Sequence, residues 1–196
     1  MHPLLDMSRF LDELTGAAGF AATILFAPWL RSRYSTWGST PEEAKRALPG
    51  DALLPEPALQ STRAISIAAE PREVWHWIAQ MGRGRGGMYS YRVLETPDAP
   101  GIVPELQHIA AGDTIQGAGR TWRVVEAEIA KHLVLSTGAS SWAFVLEPLD
   151  QGRGTRLIVR SRLPAEGFAW KHLVDPGSFV FERRMLIGLR EHAERQ

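Results

Sequence analysis

Regular alternation of apolar and polar residues marks most of the chain after residue 60 as a series of β-strands. The clearest run lies at 141–147, where Trp142, Phe144 and Leu146 occupy every second position. A period of two places alternate side chains on opposite faces of a strand. Comparable runs, separated by turn residues, predict strands at 62–68, 114–116, 121–129, 132–137, 141–147 and 155–163.

The strand predicted at 155–163 has an apolar face and a basic face. Leu157 and Val159 lie on the first, and Arg156 and Arg160 lie on the second. One apolar and one polar face are typical of an antiparallel sheet that is covered on one side only. We therefore expect Arg160 to point outwards, away from the covered side.

Helices are predicted from three- and four-residue spacing and from capping residues. Pro71 opens one helix, whose apolar residues recur on one side as far as Met81. A long C-terminal helix begins at Asp175 and runs to about residue 194, with apolar residues on one face. Thr40 and Glu43 form a capping-box pattern at the start of a short helix.

The order of elements is strand, helix, a short segment, five strands and a long helix. Strands and helices that are grouped rather than alternating indicate the α+β class. A curved antiparallel sheet gripping the C-terminal helix satisfies this order. We expect an apolar helical segment at 1–36 and the sheet-and-helix domain at 37–196.

The charge balance argues against nucleic acid as a partner. The chain carries 22 basic and 22 acidic side chains, whereas a nucleic-acid-binding protein usually has a strong basic excess. It has no cysteine, which excludes disulfides, thiolate metal sites and cysteine nucleophiles.

An uncharged apolar run at 14–30 leaves two interpretations open. A membrane-spanning helix needs about 20 apolar residues, and this run has 17, including glycines and a proline. Arg31 and Arg33 follow it, so a spanning helix would leave the main domain in the cytoplasm. The alternative is an amphipathic or buried helix packed on the domain or on a partner. We expect a cytoplasmic protein, tethered to the inner face of the membrane if the run is an anchor.

Gly82, Gly84 and Gly87 spell the G-x-G-x-x-G pattern of a dinucleotide-binding turn. Such a turn follows a strand and opens a helix, whose N-terminus then binds the pyrophosphate. Here the predicted helix precedes the glycines, so they lie at the negative end of the helix dipole. We therefore expect a sharp loop with Gly82 as the helix C-cap, and no nucleotide cofactor.

Several short motifs follow one another along the chain in a characteristic order. They include Ile65-x-Ile67 followed by Ala69-Glu70-Pro71-x-x-Val74-Trp75, then Gln80-Met81-Gly82, Tyr89-Ser90-Tyr91, Gly112-Asp113, Trp142-Ala143-Phe144 and Phe181-Glu182-x-x-Met185-Leu186. The first is similar to the strand-to-helix entry of the START-like, or SRPBCC, superfamily, which includes polyketide cyclases and dehydrases and lipid-transfer domains. The others resemble a bacterial subgroup of that superfamily. The resemblance implies a helix-grip fold, a deep apolar cavity between the sheet and the last helix, and a small hydrophobic ligand.

The candidate ligand-binding residues are mostly aromatic and come from different predicted elements. Aromatic walls with a few tyrosine hydroxyls suit a rigid, largely apolar ligand. For each residue, ordinary core packing is the alternative. The seven residues that we expect to line the cavity are Tyr89, Tyr91, Trp122, Trp142, Phe144, Phe181 and Met185.

No recognisable catalytic or metal-binding motif is present in the sequence. The histidines show no metal-ligand spacing, and the Gly-x-Ser-x-Gly nucleophile motif is absent. Glu126 and Glu128 alternate on one strand and could act together as acid and base, but an exposed polar sheet face explains them better. We therefore expect neither a metal nor a cofactor.

Three functions stay open at this level. The first is binding or carriage of a small hydrophobic molecule such as a lipid, an isoprenoid or a polyketide-like compound. The second is a cyclase or dehydrase that uses a tyrosine or glutamate as acid or base. The third is a protein-interaction module with a filled cavity. An open dry pocket favours the carrier, a titratable group in the pocket favours the enzyme, and a collapsed pocket with an exposed apolar patch favours the interaction module.

Overall fold

Six strands form one curved antiparallel sheet in the computed structural model, which describes residues 31–91, 99–164 and 175–195. Their spatial order is β1-β6-β5-β4-β3-β2. The strands are β1 Leu59–Ile67, β2 Thr114–Gly117, β3 Arg120–Glu128, β4 His132–Ser136, β5 Ser141–Leu149 and β6 Gly154–Leu163. All six predicted strands are present, and the largest difference is that β1 begins at Leu59 rather than at residue 62.

In the described residues, helices lie at α1 Pro41–Lys45, α2 Pro71–Ala79 and α3 Asp175–Ala193, and residues 31–35 are also helical. The predicted capping box is present at α1. The backbone N–H of Glu43 donates to Thr40 Oγ1 at 3.2 Å, and the backbone N–H of Thr40 donates to Glu43 Oε2 at 2.7 Å. These bonds satisfy helix N–H groups that have no partner within the helix itself.

α3 packs against α2 and β1 and completes the predicted α+β, helix-grip fold. We call the side of the sheet that faces α3 the inner face, and the opposite side the outer face. The register of β5 and β6 pairs Phe144 with Val159 and Leu146 with Leu157, so the apolar residues of the two strands share the inner face as predicted. Phe144, Leu157 and Val159 are completely buried there.

The prediction that the sheet is covered on one side only is wrong, because the segment 37–54 covers part of the outer face. Arg160 points outwards as predicted, yet it is only 2% exposed. Its guanidinium donates to the carbonyl oxygens of Glu43, Ala44 and Arg46 and to Asp51 Oδ2, at 2.7 to 3.0 Å. Burial lowers the pKa of Arg160, and the Asp51 carboxylate opposes that effect. A basic face can therefore bind a polar segment of the same chain instead of water.

The hypothesis of a membrane-spanning helix can be compared with the described helices, but not with the run at 14–30 itself. Within 31–91, 99–164 and 175–195, no helix is both long enough and apolar enough to cross a bilayer. The apolar run at 14–30 lies outside the described residues. Just after it, Tyr34 is buried and its ring lies 5.6 Å from that of Phe179 in α3, so the contacts of the domain extend back before residue 37.

Candidate functional site

Six of the seven predicted ligand-binding residues belong to one buried cluster between the inner face and α3. They come from four parts of the chain: the loop after α2, β3, β5 and α3. The six are Tyr89, Trp122, Trp142, Phe144, Phe181 and Met185. Tyr91 is half-buried, at the end of a described stretch.

A row of aromatic rings crosses the inner face. The Trp142 ring lies 5.3 Å from that of Trp122 and 4.8 Å from that of Phe144, measured between ring centroids. The two indoles differ in one respect. Trp122 Nε1 donates to the carbonyl oxygen of Gly117 at 3.0 Å, whereas Trp142 Nε1 is buried with no hydrogen-bond partner in the described part of the chain.

Tyr89 does not offer a free hydroxyl to a ligand. Its hydroxyl donates to the carbonyl oxygen of Trp77 at 2.9 Å, and its ring packs edge-on against the Trp77 ring. His192 of α3 stacks on the same indole, with 4.7 Å between ring centroids. Through these contacts the loop after α2 packs against both α2 and α3, so Tyr89 has a structural role in the interior.

The described wall of this interior is closed. Phe144 and Met185 have no accessible surface, and the most exposed of the six clustered residues, Phe181, is 9% exposed. A guest-sized cavity would leave its lining residues accessible to water-sized molecules. These side chains therefore pack directly on their neighbours, and a bound molecule would have to displace some of them.

A buried ion pair on the inner side was not predicted. Arg63 Nη1 of β1 donates to Glu182 Oε2 of α3, and Ser161 Oγ donates to Glu182 Oε1 at 2.6 Å. The side chains of Arg63 and Glu182 are 0% and 5% exposed. One signal for this pair exists in the sequence, because the period-two pattern of β1 places Arg63 on the same face as Ile65 and Ile67.

The carboxylates considered as an acid–base pair lie on the outer face, opposite this interior. Glu126 and Glu128 keep 57% and 50% of their side-chain surface exposed. Glu126 Oε1 lies 2.8 Å from His132 Nε2. The ammonium of Lys131 holds the pKa of Glu128 below its ordinary value. Both residues thus belong to an exposed polar face, the explanation favoured by their sequence pattern.

The glycines of the G-x-G-x-x-G pattern form a tight loop at the carboxyl end of α2. Gly82 and Gly87 exchange backbone hydrogen bonds at 2.8 and 3.1 Å, and both have positive φ angles. The prediction that Gly82 is the C-cap is wrong, since α2 ends at Ala79 and Gln80 is the cap residue. Arg85 Nη2 donates to the carbonyl oxygen of Ala79 at 3.0 Å, so a cation rather than a phosphate occupies this end of the helix.

A groove of about 380 Å³ indents the outer face at β2, β3 and β4. It is lined by Thr114, Thr121, Arg123, Val125, Ser136, Thr137 and Gly138. Val125 forms a β-bulge in β3, where the register with β4 shifts, and it is 40% exposed. Within the described residues, no group of three or more histidines and carboxylates is arranged to hold a metal ion.

Comparisons with known proteins give likenesses at the level of shape alone. No family model matches the chain, and no curated protein does. Among solved structures it is similar to DynU16, a protein of the dynemicin biosynthetic locus, with 15% identity and a TM-score of 0.40. It is also similar to KanY, with 15% identity and a TM-score of 0.45, and to the Aha1 dimer of Colwellia psychrerythraea, with 16% and 0.45.

The three alignments differ in how much of each matched protein they cover. They include 65%, 69% and 69% of this chain, and 46%, 97% and 96% of DynU16, KanY and Aha1 respectively. The chain thus spans less than half of DynU16. With TM-scores below 0.5 these likenesses carry no assignment of function.

Proposed function

We propose that the chain binds a small, largely apolar molecule between the inner face of the sheet and α3. The single observation that carries this proposal is the unpaired Nε1–H of Trp142 inside the aromatic cluster. Buried polar groups nearly always have a hydrogen-bond partner, and an unpaired one costs about 1–3 kcal/mol. An acceptor atom on a bound molecule would remove that cost.

The closed wall sets a condition on binding. A ligand gains about 25 cal/mol per Å² of apolar surface that it buries, less the cost of displacing the side chains that fill its place. The aromatic row of Trp122, Trp142 and Phe144 suits a flat, rigid guest, since ring faces can stack on such a molecule. A lipid, an isoprenoid and a polyketide-like compound are the classes that we consider.

Binding is better supported than a cyclase or dehydrase activity. The Tyr89 hydroxyl is engaged with the Trp77 carbonyl oxygen, and Glu126 and Glu128 lie on the outer face. Glu182 does face the interior, but Arg63 and Ser161 hold its two oxygens. An acid or base must be free to reach the proton that it transfers.

A protein-interaction module is the second candidate, and a specific observation favours it. The described interior is closed, while Val125, which lines the outer groove, is 40% exposed and Ile129, which follows β3, is 66% exposed. Exposed apolar residues beside a groove are typical of a docking surface when they are contiguous. The double variant Val125→Lys, Ile129→Lys separates the two functions, because it would abolish docking of a protein and leave binding in the interior unchanged.

Tethering to the inner face of the membrane by the run at 14–30 is part of the proposal. The full-length chain and its Ile24→Lys variant would be compared after cell lysis and sedimentation of membranes. An anchor predicts that the unaltered chain sediments with membranes and that the variant is released. Equal distributions of the two chains contradict the tether.

The ligand itself is tested by native mass spectrometry of the full-length chain purified from its own host, followed by organic extraction. We expect a reproducible adduct of a few hundred daltons, typical of a small ligand. The test variant is Phe144→Trp, which enlarges a completely buried ring in the cluster and should reduce the amount of adduct. Absence of any adduct, together with failure to bind an apolar dye, contradicts the proposal.

A further inference from the structure

The unpaired polar atoms around the interior are all N–H donors. Arg63 Nη2, Trp77 Nε1 and Trp142 Nε1 are buried without a hydrogen-bond partner, and the three residues are at most 2% exposed. In the described part of the chain, no buried side-chain oxygen is left unpaired in the same way. In the described interior, three side-chain N–H donors are therefore unpaired, whereas the side-chain oxygens already take part in hydrogen bonds.

The charges of the interior are already balanced. Arg63 is paired with Glu182, and its Nε donates to the carbonyl oxygen of Tyr34 at 3.0 Å. A carboxylate placed beside this pair would leave one uncompensated negative charge in a buried site, and an ammonium would leave one positive charge. Either charge would oppose binding strongly, because the surrounding side chains are apolar and aromatic.

We propose that the ligand is neutral and presents a hydrogen-bond acceptor without a donor, as a ketone, quinone or ester does, with its oxygen on Trp142 Nε1. This inference rests on the proposed function. A carbonyl oxygen accepts a hydrogen bond from the indole N–H and has no donor of its own that would need a partner. A hydroxyl group can accept the same bond, but its own O–H must share an oxygen that is already hydrogen-bonded. The order of affinity is therefore ketone, then alcohol, then carboxylate.

Four probes of nearly equal size test the order. Three of them carry oxygen: 2-acetylnaphthalene is a ketone, 1-(2-naphthyl)ethanol is an alcohol and 2-naphthoate is a carboxylate. The fourth, 2-ethylnaphthalene, has no oxygen. Their affinities for the full-length chain would be measured by titration calorimetry. We expect the ketone to bind about five-fold more tightly than 2-ethylnaphthalene, the gain of one neutral hydrogen bond. We expect 2-naphthoate to bind the most weakly of the four.

Two conservative variants identify the donor. Trp142→Phe removes the unpaired N–H, so the ratio of the affinities for the ketone and for 2-ethylnaphthalene should fall to about one, whatever the change in each affinity. Trp122→Phe is the matched control, since its N–H is already bonded to Gly117 and the preference should survive. In ¹H–¹⁵N spectra, the indole signal of Trp142 is identified by its absence from the spectrum of Trp142→Phe. In the unaltered chain, this signal should move downfield when the ketone binds.

The outcomes separate the inference from the function on which it rests. Tighter binding of 2-naphthoate than of the ketone overturns the inference, and so does a ketone preference that persists in Trp142→Phe. In both cases the apolar probe still binds and the proposed function stands. If none of the four probes binds, the proposed function fails and the inference fails with it.

Discussion

Gly188 of α3 lies so close to Tyr89 that a Cβ at residue 188 would be 2.1 Å from the Tyr89 carbonyl oxygen. Tyr89 has a φ angle of 54°, in the left-handed region that non-glycine residues rarely adopt. The hydrogen bond from its hydroxyl to the Trp77 carbonyl oxygen and its packing on the Trp77 ring hold this conformation. The missing side chain of Gly188 therefore decides how closely the last helix approaches the loop after α2.

Gly188→Ala should destabilise the protein, although the same change in an ordinary helix stabilises it by about 1 kcal/mol. Overpacking against a backbone atom costs about 1–3 kcal/mol. We expect a lower free energy of unfolding in urea. Gly101→Ala is the matched control, because a Cβ there meets nothing within 4 Å. Equal stability of the two variants would show that α3 can shift to accept the methyl group.

Arg63 and Glu182 should show strong coupling in a double-mutant cycle. Removing one member of a buried ion pair leaves the other charge unpaired, which costs about 3–5 kcal/mol. We expect Arg63→Met and Glu182→Met each to be strongly destabilising, and the double variant to be clearly less unstable than the sum of the two. The measurement is urea unfolding of all four chains. Additive losses contradict the direct pairing of the two residues.

The stability of the protein should fall in acid partly through Glu43. The hydrogen bond from Arg156, at 2.7 Å, holds the pKa of Glu43 below its ordinary value of 4.5. A depressed pKa in the folded state contributes stability that is fully present above the unfolded value and is lost as the pH falls through the folded value. The stabilisation by Glu43 should therefore be constant near neutral pH and should shrink below about pH 4.5.

Glu43→Gln tests this contribution. We expect the variant to be less stable than the unaltered chain at pH 7 and to approach it in stability below pH 4, as followed by thermal unfolding across a pH series. Glu42→Gln, on the exposed side of the same helix, is the control and should change stability little at either pH. A constant difference between Glu43→Gln and the unaltered chain across the series contradicts the assignment.

Phe144→Ala should open the closed interior. Truncation of a buried phenylalanine costs about 3–5 kcal/mol and leaves a cavity where the ring was. We expect tighter binding of 2-ethylnaphthalene, measured by titration calorimetry under conditions where circular dichroism shows the variant to be folded. Val145→Ala is the control, since Val145 is the next residue on β5 but packs in the small outer cluster with Leu48, Ala64 and Ile158. Equal binding by both variants contradicts a ligand site on the inner face.

The helix-grip architecture could be predicted because its signals are local. The period-two runs gave the strands, and Thr40 and Glu43 gave the start of α1 through hydrogen bonds across three residues. The C-cap at Gln80 was missed, since a glycine just beyond a helix is the commoner cap and Gly82 serves instead as one end of a tight loop.

The sequence predicted that six of the seven candidate residues would meet in the interior, but not how their polar groups would be bonded there. Alternation along β5 determined that Trp142 and Phe144 share a face, whatever packs against them. It could not determine that Trp122 would find the Gly117 carbonyl oxygen while Trp142 would find no partner. Trp122 finds its acceptor on β2, the strand paired with its own, and that pairing exists only in the folded sheet.

The sequence by itself determined the class of fold, the order of its elements and which residues of a strand share a face, because these follow from neighbours a few positions apart. Tertiary structure alone decided the pairing of Arg63 with Glu182, the burial of Arg160 beneath residues 43–51, and the closure of the aromatic interior. The physical reason is that each of these depends on groups that are distant in the chain and meet only when the sheet, α3 and the covering segment have packed together.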